Sequence, residues 1–84
     1  MYEVLVERAA EKDIKRLPLV FLRRTIPAIK SLSLTPRPPG CRKISGSENF
    51  WRFRIGDYRI LYEIDDKANT VKIMRVKHRK EAYR

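Results

Sequence analysis

A single cysteine, Cys41, excludes a disulfide within this 84-residue chain, and with it a cysteine-rich zinc site. A single histidine, His78, would leave any metal site dependent on carboxylates, and these are scattered along the sequence. Neither a metal nor another cofactor is expected. No apolar run is long enough to span a bilayer, and the opening Tyr2-Glu3-Val4-Leu5-Val6-Glu7-Arg8 lacks the character of a secretory signal. The expected location is the cytoplasm, with no membrane attachment. Acidic residues are also scarce: 10 Asp and Glu stand against 20 Lys and Arg, a net charge of +10. Such an imbalance points to a polyanionic partner, whether nucleic acid, an acidic protein or a membrane surface. No long block of like charge occurs, so the charge belongs to a folded surface rather than a basic tail. Hydrophobic residues make up 43% of the chain, a globular proportion, and the length suits a single domain over residues 1–84.

The most ordered pattern is Phe50 to Ile64. Two runs rich in aromatic and β-branched residues flank Gly56-Asp57, a pair suited to a two-residue II′ hairpin turn. That loop length fixes the register: Ile55 faces Tyr58, Phe53 faces Ile60, and Trp51 faces Tyr62. Strand alternation puts all six on one side, a core face. The other side carries Arg54 opposite Arg59, Arg52 opposite Leu61, and Phe50 opposite Glu63. Two arginines directly across a strand pair repel by roughly 0.2–1 kcal/mol. A phosphate between them would relieve the conflict, because guanidinium forks bind phosphate bidentately. A merely solvated basic face is the plain alternative.

Before this hairpin, Tyr2 to Val6 reads as a short strand with Tyr2, Val4 and Val6 on one side. Residues 8–16 read as a helix with Ala9, Ala10, Ile14 and Leu17 as its apolar stripe. A second helix starts near Pro18 and runs to about Ser33, with Val20, Phe21, Ile29 and Leu32 sharing a face. Pro27 falls within it, which predicts a kink near Thr25–Ile26 or a helix in two pieces. Thr35-Pro36-Arg37-Pro38-Pro39-Gly40 is a rigid connector. The sheet resumes at Cys41 to Ser45. Residues 46–49 form a turn or bulge, 65–70 a further turn, and 71–77 the last strand. There Val76 is out of phase with Val71 and Ile73, so the strand either buries both faces or is bulged near Met74–Arg75. The resulting order, β-α-α-β-β-β, predicts a small α+β domain: an antiparallel sheet with a two-helix hairpin on one face. The opposite face, holding Arg52, Arg54 and Arg59, is left for function, and the last strand delivers the basic tail to its rim.

Three segments together resemble the RelE family of toxin–antitoxin systems. They are Arg-Pro-Pro-Gly-Cys-Arg-Lys-Ile at 37–44, Trp-Arg-Phe-Arg-Ile-Gly-Asp-Tyr-Arg-Ile-Leu-Tyr-Glu-Ile at 51–64, and Val-Lys-His-Arg-Lys-Glu-Ala-Tyr at 76–83. The resemblance extends over nearly the whole chain and includes the order of elements. It implies a toxin that enters the ribosomal A site and cleaves mRNA there without a metal. It also implies a RelB-like acidic antitoxin that wraps the toxin, and binding to operator DNA only as the toxin–antitoxin complex. By position, Arg59, Arg79 and Tyr83 match the family's catalytic set. Arg52 and Arg54 fall where well-described members carry lysines, Lys43 matches a further basic position, and Ser45 replaces an arginine. Lys77, His78, Lys80 and Phe50 complete the expected RNA-binding residues.

Such cleavage needs a deprotonated 2′-hydroxyl, a stabilised phosphorane and a protonated 5′-oxygen. Arg59 and Arg79 suit the second task as fixed cations. Arginine, unlike lysine, does not surrender a proton near neutrality. The proton transfers then fall to His78 or Tyr83; Tyr83 is also placed to stack on a base. For His78 the plain reading is a hydrogen-bonded residue at a strand end. Two alternatives remain. A ParE-type toxin has the same fold but binds DNA gyrase and cuts nothing, and generally lacks the Arg/Arg/Tyr set. A non-catalytic RNA-binding module would use the basic face with Phe50 and Tyr83 as stacking platforms.

Overall fold

The computed structural model describes residues 1–82, in the order β1 (Glu3–Val6), α1 (Arg8–Lys15), α2 (Leu19–Ser31), β2 (Arg42–Lys43), β3 (Phe50–Ile55), β4 (Tyr58–Asp65), β5 (Thr70–His78) and α3 (Arg79–Ala82). The five strands form one sheet in the order β1-β5-β4-β3-β2. The α+β architecture is as expected; the sheet segment expected at Cys41 to Ser45 is the two-residue strand β2, and the terminal turn of helix α3 is an addition. The sheet is not wholly antiparallel. β1 lies parallel to β5, pairing Glu3 with Thr70 through Val6 with Ile73. The helical hairpin makes this possible, since it carries the chain away before the other strands are laid down.

The hairpin is paired as its turn dictates. Ile55 faces Tyr58, Phe53 faces Ile60, Trp51 faces Tyr62 and Arg54 faces Arg59. Gly56 takes the positive φ (+56°) that the first position of a II′ turn requires. Its Cα also lies under α2, where a β-carbon would sit 2.8 Å from the Phe21 ring. Phe21 in turn packs on Tyr58, with ring centroids 4.8 Å apart. The bulge expected in the last strand is present. Tyr62 pairs with Ile73 but Leu61 pairs with Arg75, so Met74 is the extra residue. This shift returns Val76 to the core side with Val71 and Ile73, and all three are buried.

The core joins Ile55, Ile60, Tyr62 and Ile64 of the hairpin to Val71, Ile73 and Val76 of β5, under Ala10, Ile29 and Leu32 of the helical layer. Two expected core residues are outside it. Ala9 is exposed, and so is Val20 at 68%. In α2 the buried stripe is Thr25, Ile29 and Leu32, with Phe21 half-buried above it. Val20 is one residue, about 100°, out of phase with that stripe and lines up with exposed Arg24, Pro27 and Ser31. Pro27 therefore faces solvent, and α2 is one continuous helix through it rather than two pieces. Val6 is exposed as well, at 42%, as is Leu5 at 41%.

Polar contacts fix the ends of the sheet. Where β1 leaves, α1 covers the edge of β5. Asp13 accepts from Arg75 Nε (2.8 Å), Arg75 Nη2 (3.1 Å) and the Val76 N–H (3.0 Å). The proline-rich connector is tied down at the opposite end. Arg37 bonds both carboxylate oxygens of Asp66, Tyr2 donates to Asp66 at 2.6 Å, and Tyr62 donates to the Pro36 carbonyl at 2.9 Å. The Arg37 guanidinium also lies 5.1 Å from the centre of the Trp51 ring.

Candidate functional site

The helices cover one face of the sheet and leave the other open. On that face, register places Arg54 beside Arg59 and Lys77, and Arg42 beside Arg52, Leu61 and Arg75. Two adjoining pockets lie there. One, of about 220 Å³, is lined by Gly40, Arg42, Arg52, Arg54 and Arg59. The other, of about 310 Å³, is lined by Arg54, Arg59, Arg79 and Lys80. Arg54 and Arg59 are common to both, so the pockets form one track. No carboxylate lines either pocket among the described residues.

Each arginine reaches the track for a local reason. Arg54 and Arg59 follow from the two-residue turn, and Arg54 Nε donates to the Gly56 carbonyl at 2.9 Å. Arg79 arrives because α3 begins against the hairpin tip, its N–H donating to the Asp57 carbonyl at 2.7 Å. Lys80 follows in the same turn. Arg75, by contrast, is held at the sheet edge by Asp13 and lines neither pocket.

The structure thus brings together Arg52, Arg54, Arg59, Arg79 and Lys80. Lys77 shares the face but lies 3.6 Å from Glu81 in an ion pair. Phe50 shares it too, at the far end of β3 opposite Glu63, and is 37% exposed. Lys43 pairs with Trp51, so its side of β2 is the helix-covered one. His78 is not brought to the cluster. The Met74 bulge puts it on the helix side opposite Tyr58, where the two rings meet edge-on at 5.2 Å. Its Nδ1 accepts the Lys80 N–H at 3.2 Å. Tyr83 lies outside the described residues.

Arg42 and Gly40 are pocket residues that the sequence did not single out. Arg42 becomes visible only with the β2–β3 register, which depends on the six residues between those strands. Ser47 closes that loop by donating to the Ile44 carbonyl at 2.7 Å, while the Ile44 N–H bonds the Phe50 carbonyl at 2.8 Å. Chemically, the track is a row of permanent cations with planar, forked donors, suited to successive phosphates. Among the described residues no three His, Cys, Asp or Glu side chains converge to hold a metal ion.

Comparison with known proteins places this small α+β domain among the toxins of type II toxin–antitoxin systems. The family described as "ParE toxin of type II toxin-antitoxin system, parDE" matches residues 4–83, and the chain belongs to this RelE/ParE superfamily. It is 37% identical to toxin RelG of Mycobacterium tuberculosis, across 99% of this chain and 97% of that protein. It also resembles a chain of the RelBE2 toxin–antitoxin complex from M. tuberculosis. That match has a TM-score of 0.81 and 32% identity over 92% of this chain and 96% of the other. A chain of the archaeal RelE–RelB complex from Pyrococcus horikoshii aligns with a TM-score of 0.82 at 29% identity, over 93% and 94%. The isolated Escherichia coli RelE toxin shares the fold at a TM-score of 0.80 and 18% identity, over 99% of this chain and 96% of the other.

Proposed function

We propose that this toxin is a ribosome-dependent mRNA endonuclease, neutralised by an acidic, RelB-like antitoxin. The observation that carries the reading is the convergence of Arg52, Arg54, Arg59 and Arg79 on the open face. In the proposed reaction the 2′-oxygen attacks the adjacent phosphorus, the P–O5′ bond breaks, and a cyclic phosphate and a 5′-hydroxyl result. Arg54, Arg59 and Arg79 stabilise the phosphorane, whose extra negative charge develops within reach of several guanidinium groups. Arg52 holds the neighbouring backbone. Proton transfer is assigned to Tyr83, from the motif it ends. His78 is not used, because it stands on the other side of the sheet. The dependence on the ribosome rests on the likeness to RelE toxins.

An antitoxin partner is supported on physical grounds as well as by the complexes in which related chains were solved. A domain of net charge +10 with an open arginine face attracts an acidic, amphipathic segment that folds on binding.

The test is translation of a defined mRNA with and without the protein, read by primer extension. Cuts confined to ribosome-engaged mRNA are expected, and Arg59→Ala reduces them by about 10²–10³-fold, the usual loss for one donor to a developing anion. Tyr83→Phe cleaving at the parental rate would remove Tyr83 from proton transfer. Intact mRNA in the presence of folded protein would overturn the reading. The matched family's description, which names parDE, then makes gyrase the second reading, checked by a DNA supercoiling assay.

A further inference from the structure

The proposed chemistry needs cations around one phosphate, and the pocket of Arg54, Arg59, Arg79 and Lys80 supplies them. The pocket beside it shares Arg54 and Arg59 with that step, and its remaining lining lies beyond them. That remainder is Arg42 and Arg52, cross-strand neighbours on β2 and β3, with Gly40 at the end of the proline-rich connector. Arg42 and Arg52 are like charges placed directly opposite each other, an arrangement unfavourable in a bare sheet. Gly40 has φ +91°, and a β-carbon there would meet nothing within 4 Å, so the rim is open. Along β3 the Arg42–Arg52 pair follows the Arg54–Arg59 pair by two residues, about 7 Å. That repeat is comparable to the separation of successive phosphates in an extended nucleotide strand.

We propose that Arg42, Arg52 and Gly40 form a second phosphodiester subsite. It would hold the phosphate next to the one bound by Arg54 and Arg59, and set the direction of a single strand along β3. The subsite rests on the nucleic-acid reading above but does not require cleavage. Arg42 is its specific element. Its neighbour Lys43, on the same two-residue strand, belongs to the opposite face and supplies an internal control.

The experiment is equilibrium binding of the full chain to single-stranded 2′-deoxy oligonucleotides, which lack the attacking hydroxyl, across a salt series. Each neutralised phosphate on a single strand contributes about 0.7 to the slope of log K against log salt. Arg42→Ala is expected to reduce the hexanucleotide slope by about 0.7 and to leave a dinucleotide unaffected, whereas Lys43→Ala changes neither. Arg42→Lys restores the slope, since a point charge suffices for counterion release. An unchanged hexanucleotide slope in Arg42→Ala, or an equal loss in Lys43→Ala, would overturn the subsite. So would a poly-glutamate peptide of matched length whose binding loses more to Arg42→Ala than the oligonucleotide's, which would reassign the pocket to an acidic protein segment. No ribosome or cleavage enters this measurement. A toxin inactive on ribosomes but with these slopes keeps the subsite and loses the nuclease reading; the reverse result does the opposite.

Discussion

At Asp13 three donors meet one carboxylate: Arg75 Nε, Arg75 Nη2 and the Val76 N–H. Burial raises the carboxyl's pKa. The hydrogen bonds from Arg75 and Val76 and the charges of Arg75 and Lys77 outweigh it, and the net shift is downward from 3.8. A depressed carboxylate stabilises the fold fully above its unfolded pKa, and the contribution is lost as pH falls through the folded value. Asp13→Asn is therefore expected to cost about 1.5–3 kcal/mol at pH 7, the range for hydrogen bonds to a charged group. Parent and variant should converge as pH drops below about 3.8, in urea midpoints measured across that range. The opposite trade holds on the open face. Arg52→Thr removes one of two facing cations and is expected to raise stability by up to about 1 kcal/mol, because β-branched residues suit a strand and the repulsion is gone. The same change weakens oligonucleotide binding. A variant both less stable and equally tight would contradict the view that Arg52 is kept for a ligand.

Among the elements, the β3–β4 hairpin organises the site, and its tip is held from two directions. Phe21 of α2 presses on Gly56, and the first N–H of α3 bonds Asp57. Gly56→Ala demands a left-handed backbone from a residue with a β-carbon and drives that carbon into the Phe21 ring. A loss of about 1–3 kcal/mol is expected in chemical denaturation. Phe21→Leu should absorb part of it, so the two changes together cost less than their sum in a double-mutant cycle. Strict additivity would show that the backbone conformation alone carries the cost. The pairing of this hairpin was legible because a two-residue loop and a period of two leave one solution. The side taken by Arg42 was not, since the loop at 44–49 permits more than one register. His78 was ambiguous for a related reason. Its face depends on whether a bulge precedes it, and the phase of Val76 raised that possibility without settling it.

Across the whole molecule, charge and topology act together. The helices bury one face, so part of the excess charge collects on the other, and the track formed there has no acidic lining among the described residues. Coexpression with an acidic protein encoded beside the toxin is expected to yield a complex that neither binds oligonucleotide nor cuts mRNA. Failure of such a protein to copurify would argue against an antitoxin that covers this face. No described helix is long and apolar enough to cross a membrane.

The sequence by itself determined what local rules govern. The β-hairpin, its core-facing and arginine-bearing sides, the two helices and the charge of the domain all follow from periods of two and 3.6, turn chemistry and composition. Tertiary structure decided what depends on distant parts of the chain. β1 joins β5 in parallel because the helical hairpin lies between them. Thr25 rather than Val20 is buried because the stripe of α2 is set by what it packs on. The site gains Arg42 and excludes His78 because β2 pairing and the β5 bulge are fixed between strands, where no single segment carries the information.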